Sequence, residues 1–433
     1  MIQSACSDDR TLAGVAERLR FPPGGVELCT GWDEAMGTPP DASRRFFAPE
    51  YIAAVSAEVG LSDGMIATLI GFADFITPDS DVVCFFHYCR HRILNDPTLV
   101  QSWEEQWPPL DSHLGIDAGL LNVLVMLATV PEMRETCRKL GIPEPIIRDT
   151  VADLRRWMET DVYFQQHRRW GITPWIARWL CKHWQGKLLH LKRLQFSLGI
   201  FPDGPRAYRH RRTGQVVAIS SGGIRYHNHG DAWGACCGDN SSCWTSILDE
   251  SAAGIIGHVI RPDGHAVRSA CRLDAQDWEL ALAPGDPVLT IHVPSGGPLT
   301  FDDCGESFRQ ALELFPRIHP QRPFKAFYTA SWLLDTRLDH LLPEDANIVR
   351  LQRELYLWPG IQGDNSQVLQ RVFGWGVRDT NALPCRTSLQ RSVGTYLRNG
   401  GHFHGGFCFL LTEDFAWGSQ PYRQAMAAHG LPA

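Results

Sequence analysis

The stretch that decides the fold covers residues 285–315 and reads GDPVLTIHVPSGGPLTFDDCGESFRQALELF. Its apolar run, residues 288–293, is preceded and followed by proline, which is typical of a buried strand. The glycines and prolines of residues 294–298 break that strand, and apolar residues then recur at helical spacing from Phe308 to Phe315. A strand, a Gly-rich loop and a helix in this order indicate an α/β layer, in which such a loop brings backbone amides close to ligand phosphates.

Further elements follow along the chain. The apolar run of residues 324–330 predicts a second strand. The leucines between residues 333 and 342 predict a short helix, and residues 347–357 predict one more strand. The central stretch is therefore expected to continue as a layered α/β unit.

Upstream of the central stretch the pattern predicts mostly antiparallel strands. Residues 255–260 and 266–273 flank an Arg-Pro-Asp-Gly turn, so they predict a hairpin. Residues 278–282 and 288–293 flank an Ala-Pro-Gly-Asp turn and predict a second pair. A largely antiparallel sheet is therefore expected to lead into the α/β unit.

The chain before residue 201 has a different period. Residues 1–45 are rich in Gly, Pro, Asp and Ser and predict a partly ordered lead-in. Helical periodicity in residues 46–160 predicts an all-helical domain, and residues 161–200 predict Trp-rich amphipathic docking helices. Residues 201–433 form the mixed domain. The predicted fold class is α+β, with an all-helical N-terminal domain and a mixed α/β domain with a largely antiparallel sheet.

Composition limits the classes of function. The 433 residues include 44% hydrophobic and 21% charged residues, so a large core is available. With 41 basic and 48 acidic residues the net charge is −7, and the short basic cluster of residues 206–212 is interpreted as a solvated loop, so no nucleic-acid partner is expected. Thirteen scattered cysteines and an N-terminus without a signal-peptide pattern predict a reduced, cytoplasmic compartment. No apolar run approaches the roughly 20 residues of a membrane span.

Three patterns of His, Cys and Asp have the spacing of metal ligands. They are Cys84, His87 and His91; His227, His229 and Asp231; and His402 and His404. The first lies in an otherwise apolar helical segment, and the other two lie in loop-like sequence. Packed core residues and solvated loops are the favoured interpretations, so no metal is expected.

Several motifs resemble a bacterial family of acyltransferases. They are WELALAPGDPVLTIHVPSGGPLT at residues 278–300, CGES at 304–307, SWLLD at 331–335 and NIVRLQRELYL at 347–357. WTSILDE at residues 244–250 and GHVIRPDGHAVR at 257–268 are also similar. That family has a helical N-acyltransferase-type N-terminal domain and a GNAT-like C-terminal domain. The resemblance implies transfer of an acyl group from acyl-CoA, or from an acyl carrier protein, to the amine of a small molecule.

The resemblance also implies where the donor binds. In the acetyltransferase superfamily the central strand splays from its neighbour, the gap holds pantetheine, and the next helix offers its N-terminal amides to the pyrophosphate. In this sequence the two strands would be those ending at residues 292–293 and 327–330, in a cleft between the two domains walled by the Trp-rich helices. The implied cofactor-binding residues are Ser295, Gly296, Gly297 and Trp332.

One departure from the family pattern concerns the phosphate loop. The usual Gln/Arg-x-x-Gly-x-Gly/Ala motif is absent, and Asp302, Asp303 and Glu306 lie in the first turn of the helix, where they would repel a pyrophosphate. Three explanations stay open: the phosphate is held elsewhere, the donor is an acyl carrier, or nucleotide binding has been lost. The cations proposed for the first explanation are Lys182, Arg193 and Arg350.

Acyl transfer to an amine needs a base and a hydrogen-bond donor, and three residues are predicted for these roles. His292, at the end of the central strand, is the predicted base, although a histidine that fixes the following turn is an equal interpretation. Glu306 would replace or orient it, or would act only on the helix dipole. Ser331 would donate to the thioester, or would cap the next helix. Cys304 is interpreted as a buried, inert thiol rather than an acyl-enzyme nucleophile.

Two other classes of function remain open. One is a hydrolase of thioesters or amides that uses Ser331 or Cys304 with His292, although the Gly-x-Ser-x-Gly elbow is absent. The other is a non-catalytic binding module that kept the fold and lost the chemistry. The acidic first turn of the helix favours that alternative.

Overall fold

A computed structural model describes residues 10–96, 99, 107–160, 164, 168–232, 243–360 and 365–431. The chain divides into two compact units, Met1–Leu191 and Lys192–Ala433. Residues 1–9 of the predicted lead-in lie outside the described residues. The remainder of the lead-in is largely helical, and its Trp32 is buried.

The first unit is helical over most of its described length. Its α-helices are α1 (Leu12–Arg18), α2 (Trp32–Met36), α3 (Pro49–Val59), α4 (Asp63–Ile76), α5 (Ser80–Asn95), α6 (Asp111–Leu114), α7 (Ala118–Leu127), α8 (Val130–Lys139), α9 (Glu144–Val151), α10 (Asp153–Thr160) and α11 (Pro174–Trp184). Pro40–Phe47 and Gly115–Asp117 are 3₁₀ helices, and strand β1 (Leu188–Leu191) is the last element.

The core of this unit is formed around α7, in which all ten residues are buried. A helix that is apolar on every side belongs in a core or in a membrane. The helical stretch Asp111–Lys139 is long and apolar enough to cross a membrane, but 72% of its most apolar window is buried inside the structure. That degree of burial is typical of a core helix.

The prediction of helices across residues 185–200 is wrong. Helix α11 ends at Trp184, Gly186 then adopts a left-handed φ of 64°, and the chain continues as two strands, β1 and β2 (Leu194–Ile200). All four residues of β1 are buried, so its leucines do not form the one-sided stripe that an amphipathic helix needs. A glycine in this conformation is a common helix stop.

The second unit contains most of the strands. Besides β2 these are β3 (Arg206–His210), β4 (Val216–Ile219), β5 (Arg225–His227), β6 (Cys243–Thr245), β7 (Leu248–Ser251), β8 (Gly254–Ile260), β9 (Ala266–Asp274), β10 (Trp278–Leu282), β11 (Pro287–His292), β12 (Ala326–Ser331), β13 (Tyr356–Pro359) and β14 (Gly406–Leu411).

These strands form two main sheets. The first has the order β2-β11-β12-β14-β13, and the second has the order β10-β3-β4-β8-β7 with β9 paired to β8; β5 and β6 form a small separate ladder. Strands β11 and β12 are parallel, and the other ladders between the described strands of this unit are antiparallel. The predicted hairpin is confirmed as β8 and β9. The predicted pairing of β10 with β11 is wrong, because the turn between them carries the chain from the second sheet to the first.

The α-helices of this unit are α12 (Phe301–Ile318), α13 (Leu338–Leu341), α14 (Asn347–Glu354), α15 (Ser366–Val368), α16 (Ser388–Arg398) and α17 (Pro421–His429). Short 3₁₀ turns occupy Trp332–Leu334, Thr380–Ala382 and Thr412–Asp414, and Leu369–Phe373 is a π-helical turn.

The prediction of one strand over residues 347–357 is wrong, because only its end, in β13, is extended. The remainder is helix α14, whose buried residues Val349 and Gln352 are three apart, as one face of a helix requires.

The two sheets meet at Tyr356, whose hydroxyl accepts a hydrogen bond from the Ala218 amide (3.0 Å) and donates one to the Ile260 carbonyl.

Candidate functional site

The parallel strands β11 and β12 separate before they end. Their register runs only from the pair Val288–Ala326 to the pair Thr290–Tyr328. Beyond it, β11 continues on β2 as far as His292, and β12 continues on β14 as far as Ser331. Within residues 243–360, which the structure describes without a gap, no further pair joins the two strands. The divergence that the resemblance implied is therefore present.

A cavity of about 470 Å³ opens where β12 ends, within the second unit. It is lined from both sheets and from the loops that follow their strands. The lining residues used below are Asp203, Tyr226, Ala330, Ser331, Trp358 and His404. Cavities of roughly 300–1,000 Å³ are the usual size for small-molecule sites.

One wall of the cavity is aromatic. The Trp358 ring stacks on Phe407, with 5.2 Å between centroids and 9° between planes, and Phe201 meets it edge-on at 5.5 Å. Tyr226 also lines the cavity; its ring is stacked on Trp244, and its hydroxyl lies 2.8 Å from the Ser220 hydroxyl. Burial raises the pKa of Tyr226 to about 12, so this phenol stays protonated near neutral pH.

Ser331 is the predicted catalytic residue that reaches this cavity. Its Oγ accepts a hydrogen bond from the Leu333 amide at 3.2 Å and thereby caps the 3₁₀ turn Trp332–Leu334. The capping interpretation is therefore confirmed. Because the oxygen is used as an acceptor, the hydroxyl proton is still available for a donor bond to a ligand.

His404 lies in the loop before β14 and also lines the cavity. It is 6% exposed, and its Nδ1 is buried without a hydrogen-bond partner among the described residues. The His404 carbonyl oxygen lies 2.6 Å from the position that a Cβ atom on residue 360 would occupy. A side chain would clash there, so the residue that follows β13 has to be a glycine. Burial lowers the pKa of His404. The sequence pattern marks this histidine only by its spacing from His402.

The Gly-rich loop lies on the other side of the divergence, at the end of β11. Gly296 and Gly297 both have left-handed φ values, 91° and 71°, which a side chain would make costly. The Arg193 guanidinium donates to the carbonyls of Pro294 (3.0 Å), Gly297 (3.3 Å) and Pro298 (2.9 Å). This cation, one of those proposed to hold phosphate, binds the loop itself.

Two of the three carboxylates near the start of α12, Asp303 and Glu306, also have local partners. Thr300 donates to Asp303, and Lys192 lies 3.3 Å from it. The Thr300 hydrogen bond and the nearby cations lower the pKa of Asp303. Glu306 pairs with Arg309 and accepts a 3.0 Å bond from the Gln310 amide. These contacts reduce the net negative charge that the helix start presents.

The other residues predicted for the site, His292, Trp332 and Cys304, do not line the cavity. His292 Nε2 lies 3.2 Å from Ser197 Oγ on the neighbouring strand, and His292 is not among the residues that line the cavity. Trp332 packs against the apolar cluster built on Leu338 and Val349. Cys304 is fully buried, and burial raises the pKa of its thiol to about 12, as expected of an inert cysteine.

The other two cations proposed for phosphate binding, Lys182 and Arg350, lie against aromatic rings. The Arg350 guanidinium lies 3.9 Å from the Phe301 ring centroid, at the first residue of α12. Lys182, in the first unit, lies 4.6 Å from the Trp179 ring centroid. Arg350 is thus beside the helix start, as a phosphate-binding role would need.

The metal-ligand patterns have other partners. Both ring nitrogens of His87 are engaged within the first unit, Nδ1 with the Ser43 hydroxyl (2.8 Å) and Nε2 with the Thr38 hydroxyl (3.0 Å) and the Ala35 carbonyl (3.0 Å). His87 is thus a packed core residue, as favoured. Among the residues that the structure describes, no group of three or more His, Cys, Asp or Glu side chains is arranged to hold a metal ion.

Comparison with known families separates the chain into the same two parts. Residues 188–410 match a GNAT-like C-terminal domain, and residues 50–186 match an N-acyltransferase N-terminal domain. The first match alone spans just over half of the chain, and together with the divergent strands it defines an acyltransferase of the GNAT-like type. The chain belongs to the family with the N-acyltransferase N-terminal domain and the GNAT-like C-terminal domain, so the predicted family and fold class are confirmed.

Solved structures show the same fold at low sequence identity. An acyltransferase in complex with decanoyl-CoA and teicoplanin has a TM-score of 0.63 at 21% identity, over 92% of this chain and 99% of that one. An acyltransferase mutant in complex with octanoyl-CoA gives the same four values. An acyltransferase in complex with CoA and 10C-teicoplanin has a TM-score of 0.59 at 22% identity, with the same coverage of both chains. No curated protein sequence matches the chain.

Proposed function

We propose that this protein transfers an acyl group from acyl-CoA to the amine of a small molecule, with the chemistry in the cavity at the end of β12. The observation that carries the proposal is the divergence of β11 and β12 beyond Thr290 and Tyr328, next to that cavity. Diverging parallel strands leave backbone donors and acceptors facing each other, which suits an extended ligand that carries amides of its own.

The donor's phosphates are assigned to the Gly-rich loop and the start of α12. Three observations support this. Arg193 and Lys192 lie beside the loop, Arg350 lies beside Phe301, and the carboxylates of Asp303 and Glu306 are already paired. Paired carboxylates repel a pyrophosphate less than the sequence alone suggested. Ser295, Gly296 and Gly297 keep their proposed role as the loop that meets the diphosphate.

The acceptor is assigned to the cavity. Its described lining residues include no Lys or Arg, and Asp203 contributes an exposed carboxylate at the wall. Such a lining disfavours phosphates and favours a group that is cationic in solution, as most amines are. The likeness to an acyltransferase crystallised with teicoplanin supports a small-molecule acceptor.

Transfer needs one donor for the thioester oxygen and one base for the amine. Ser331 is proposed as the donor, because the residue lines the cavity and its side-chain oxygen is already held by the Leu333 amide. Trp332, the next residue, holds the turn against the core. His292 was the predicted base, and its position beside the divergence keeps it as a candidate.

The test is a reaction of the purified protein with octanoyl-CoA and a panel of amines that includes teicoplanin. Mass spectrometry would detect the amide, and a thiol reagent would follow CoA release. The proposal expects equal amounts of amide and free CoA from at least one amine. Free octanoic acid without any amide would instead support the hydrolase alternative.

A further inference from the structure

We propose that His404 is the base that takes the proton from the acceptor amine, and that Asp335 is the positioning residue that fixes it. The inference rests on the proposed function and adds the identity of the base. It places this role on a residue of the cavity wall rather than on His292.

The backbone at His404 is held by a buried carboxylate. Asp335 is 0% exposed, and its Oδ2 accepts the amide protons of His404 (2.6 Å) and Gly405 (3.0 Å). Its Oδ1 accepts from the amide of Arg337 (3.0 Å) and from the Arg337 guanidinium (3.2 Å). One side chain therefore ties the segment after Ser331 to the segment before β14.

This clamp acts on the main chain of His404, and the imidazole Nδ1 has no hydrogen-bond partner among the described residues. The buried His87 and His183 differ in this respect, because both ring nitrogens of each have partners. His183 has a ring nitrogen 2.6 Å from the Leu188 carbonyl and the other 3.0 Å from Asp153. A buried imidazole with an unpartnered nitrogen carries a desolvation cost, which a structural histidine normally avoids. Because His404 also lines the cavity, its imidazole is available to a proton from the acceptor.

The charges around His404 keep it neutral near pH 7. Burial lowers its pKa most, Arg337 and His402 lower it further, and Asp335 and Asp231 oppose them. Among the described lining residues, the other titratable groups are Tyr226, protonated near neutral pH, and the carboxylate of Asp203. A neutral imidazole is the form that accepts a proton.

The chemical step balances without another reactant. The amine nitrogen attacks the thioester carbonyl carbon, a C–N bond forms, and one N–H proton passes to the His404 imidazole. The tetrahedral intermediate then collapses, the C–S bond breaks, and the sulfur leaves with the electron pair. The imidazolium returns its proton to the thiolate, so the products are the amide and free CoA.

The test uses the full chain with octanoyl-CoA and the best amine of the panel. His404→Gln is expected to lower kcat by at least about 100-fold, the usual scale of general-base catalysis, with octanoyl-CoA affinity by calorimetry within about twofold of wild type. His429→Gln is the matched control, because that exposed residue at the end of α17 does not line the cavity. In His404→Ala, added imidazole is expected to restore part of the rate.

Four outcomes are decisive. Transfer by His404→Gln at the wild-type rate would overturn the assignment, and the same loss in His292→Gln alone would move the role there. A folded His404→Ala variant that imidazole does not rescue, with octanoyl-CoA affinity also lost, would show a structural role only. If octanoyl-CoA binds and no amine is acylated, the proposed function itself fails, and the base assignment fails with it.

Asp335 is tested by the pH profile. Asp335→Asn keeps an acceptor oxygen but removes a negative charge that raises the pKa of His404. The acid limb of kcat, measured with the same amine as wild type, should therefore move to lower pH. A lower rate with an unmoved acid limb would mean that Asp335 acts on stability alone and does not tune His404.

Discussion

The Gly-rich loop and the cavity lie on opposite sides of the divergence between β11 and β12. The polar side chains of the loop have hydrogen-bond or ion-pair partners, whereas a buried ring nitrogen at the cavity has none among the described residues. At the loop, Arg193 binds three carbonyls, and Asp303 is paired with Lys192. At the cavity, His404 is buried with a ring nitrogen unpartnered among the described residues. The first arrangement suits recognition of an anionic ligand from solvent, and the second suits proton transfer away from water.

The largest expected effect concerns the support of the cavity. Asp335→Ala removes the carboxylate that accepts from the His404 and Gly405 amides and from Arg337. Breaking such a buried charge pair typically costs about 3–5 kcal/mol of unfolding free energy. Urea denaturation would measure it.

The matched control is Asp274→Ala, whose partner Arg272 is exposed, and which should cost no more than about 1 kcal/mol. Equal losses in the two variants would contradict the buried clamp.

The next effect concerns the space in the cavity. Ala330 lies in β12 beyond its last pair with β11, is exposed and lines the cavity. Ala330→Trp should fill that space and reduce transfer by about 100-fold, because small misplacements of reacting groups are costly. Ala428→Trp on the exposed end of α17 should change nothing. Full activity in Ala330→Trp would place the chemistry outside this cavity.

A smaller effect should separate binding from chemistry. Arg193→Met removes three hydrogen bonds to the Gly-rich loop. If the loop meets the diphosphate, the Kd of free CoA should rise about tenfold, which corresponds to roughly 1.4 kcal/mol. Lys192→Met removes an exposed ion pair with Asp303 and should weaken binding less. Unchanged CoA affinity in both variants would move the phosphate site away from this loop.

The pH dependence of stability gives a further comparison. The pKa of His404 is lowered in the folded protein, while an unfolded histidine titrates near about 6.5. Below that pH the unfolded state takes up the proton more readily, so His404 makes stability fall as pH falls. His404→Gln should therefore lose less stability between pH 7 and pH 5. Parallel stability curves for variant and wild type would contradict the lowered pKa.

The smallest expected effect is at Glu306. Its carboxylate pairs with Arg309 and Gln310 of the same helix, which is the arrangement of a surface residue near a helix start. Glu306→Gln should therefore leave kcat within about twofold, well short of the 100-fold or greater effect of a general acid or base. A loss of that size would restore the catalytic role predicted for it from the sequence.

The sequence pattern alone correctly predicted the elements whose structure depends on residues close to them in the sequence. The order β11, Gly-rich loop, α12 and β12 follows from apolar runs and glycines, and Thr387 caps α16 with a capping box. The leucine spacing around β1 led to the wrong prediction of a helix. A strand that is buried on both faces and the apolar face of a helix can have leucines at the same positions.

The site depended on contacts that no local pattern contains. Asp335 and His404 are 69 residues apart, and their hydrogen bond joins the ends of two strands that pair only in the folded sheet. Ser331 was predicted from its place after a strand, which a sequence does show. His404 was visible only as half of an His-x-His spacing, which means little in a loop.

The most direct test of the central claim is a calorimetric titration of the wild-type protein with free CoA, acetyl-CoA and octanoyl-CoA. The account predicts saturable binding, and a matching rise in thermal stability, because a ligand that binds only the folded state must stabilise it. It also predicts that Arg193→Met weakens all three ligands and that His404→Gln weakens none. Absence of binding by all three would contradict the account and would leave a carrier-bound donor or a non-catalytic binding module.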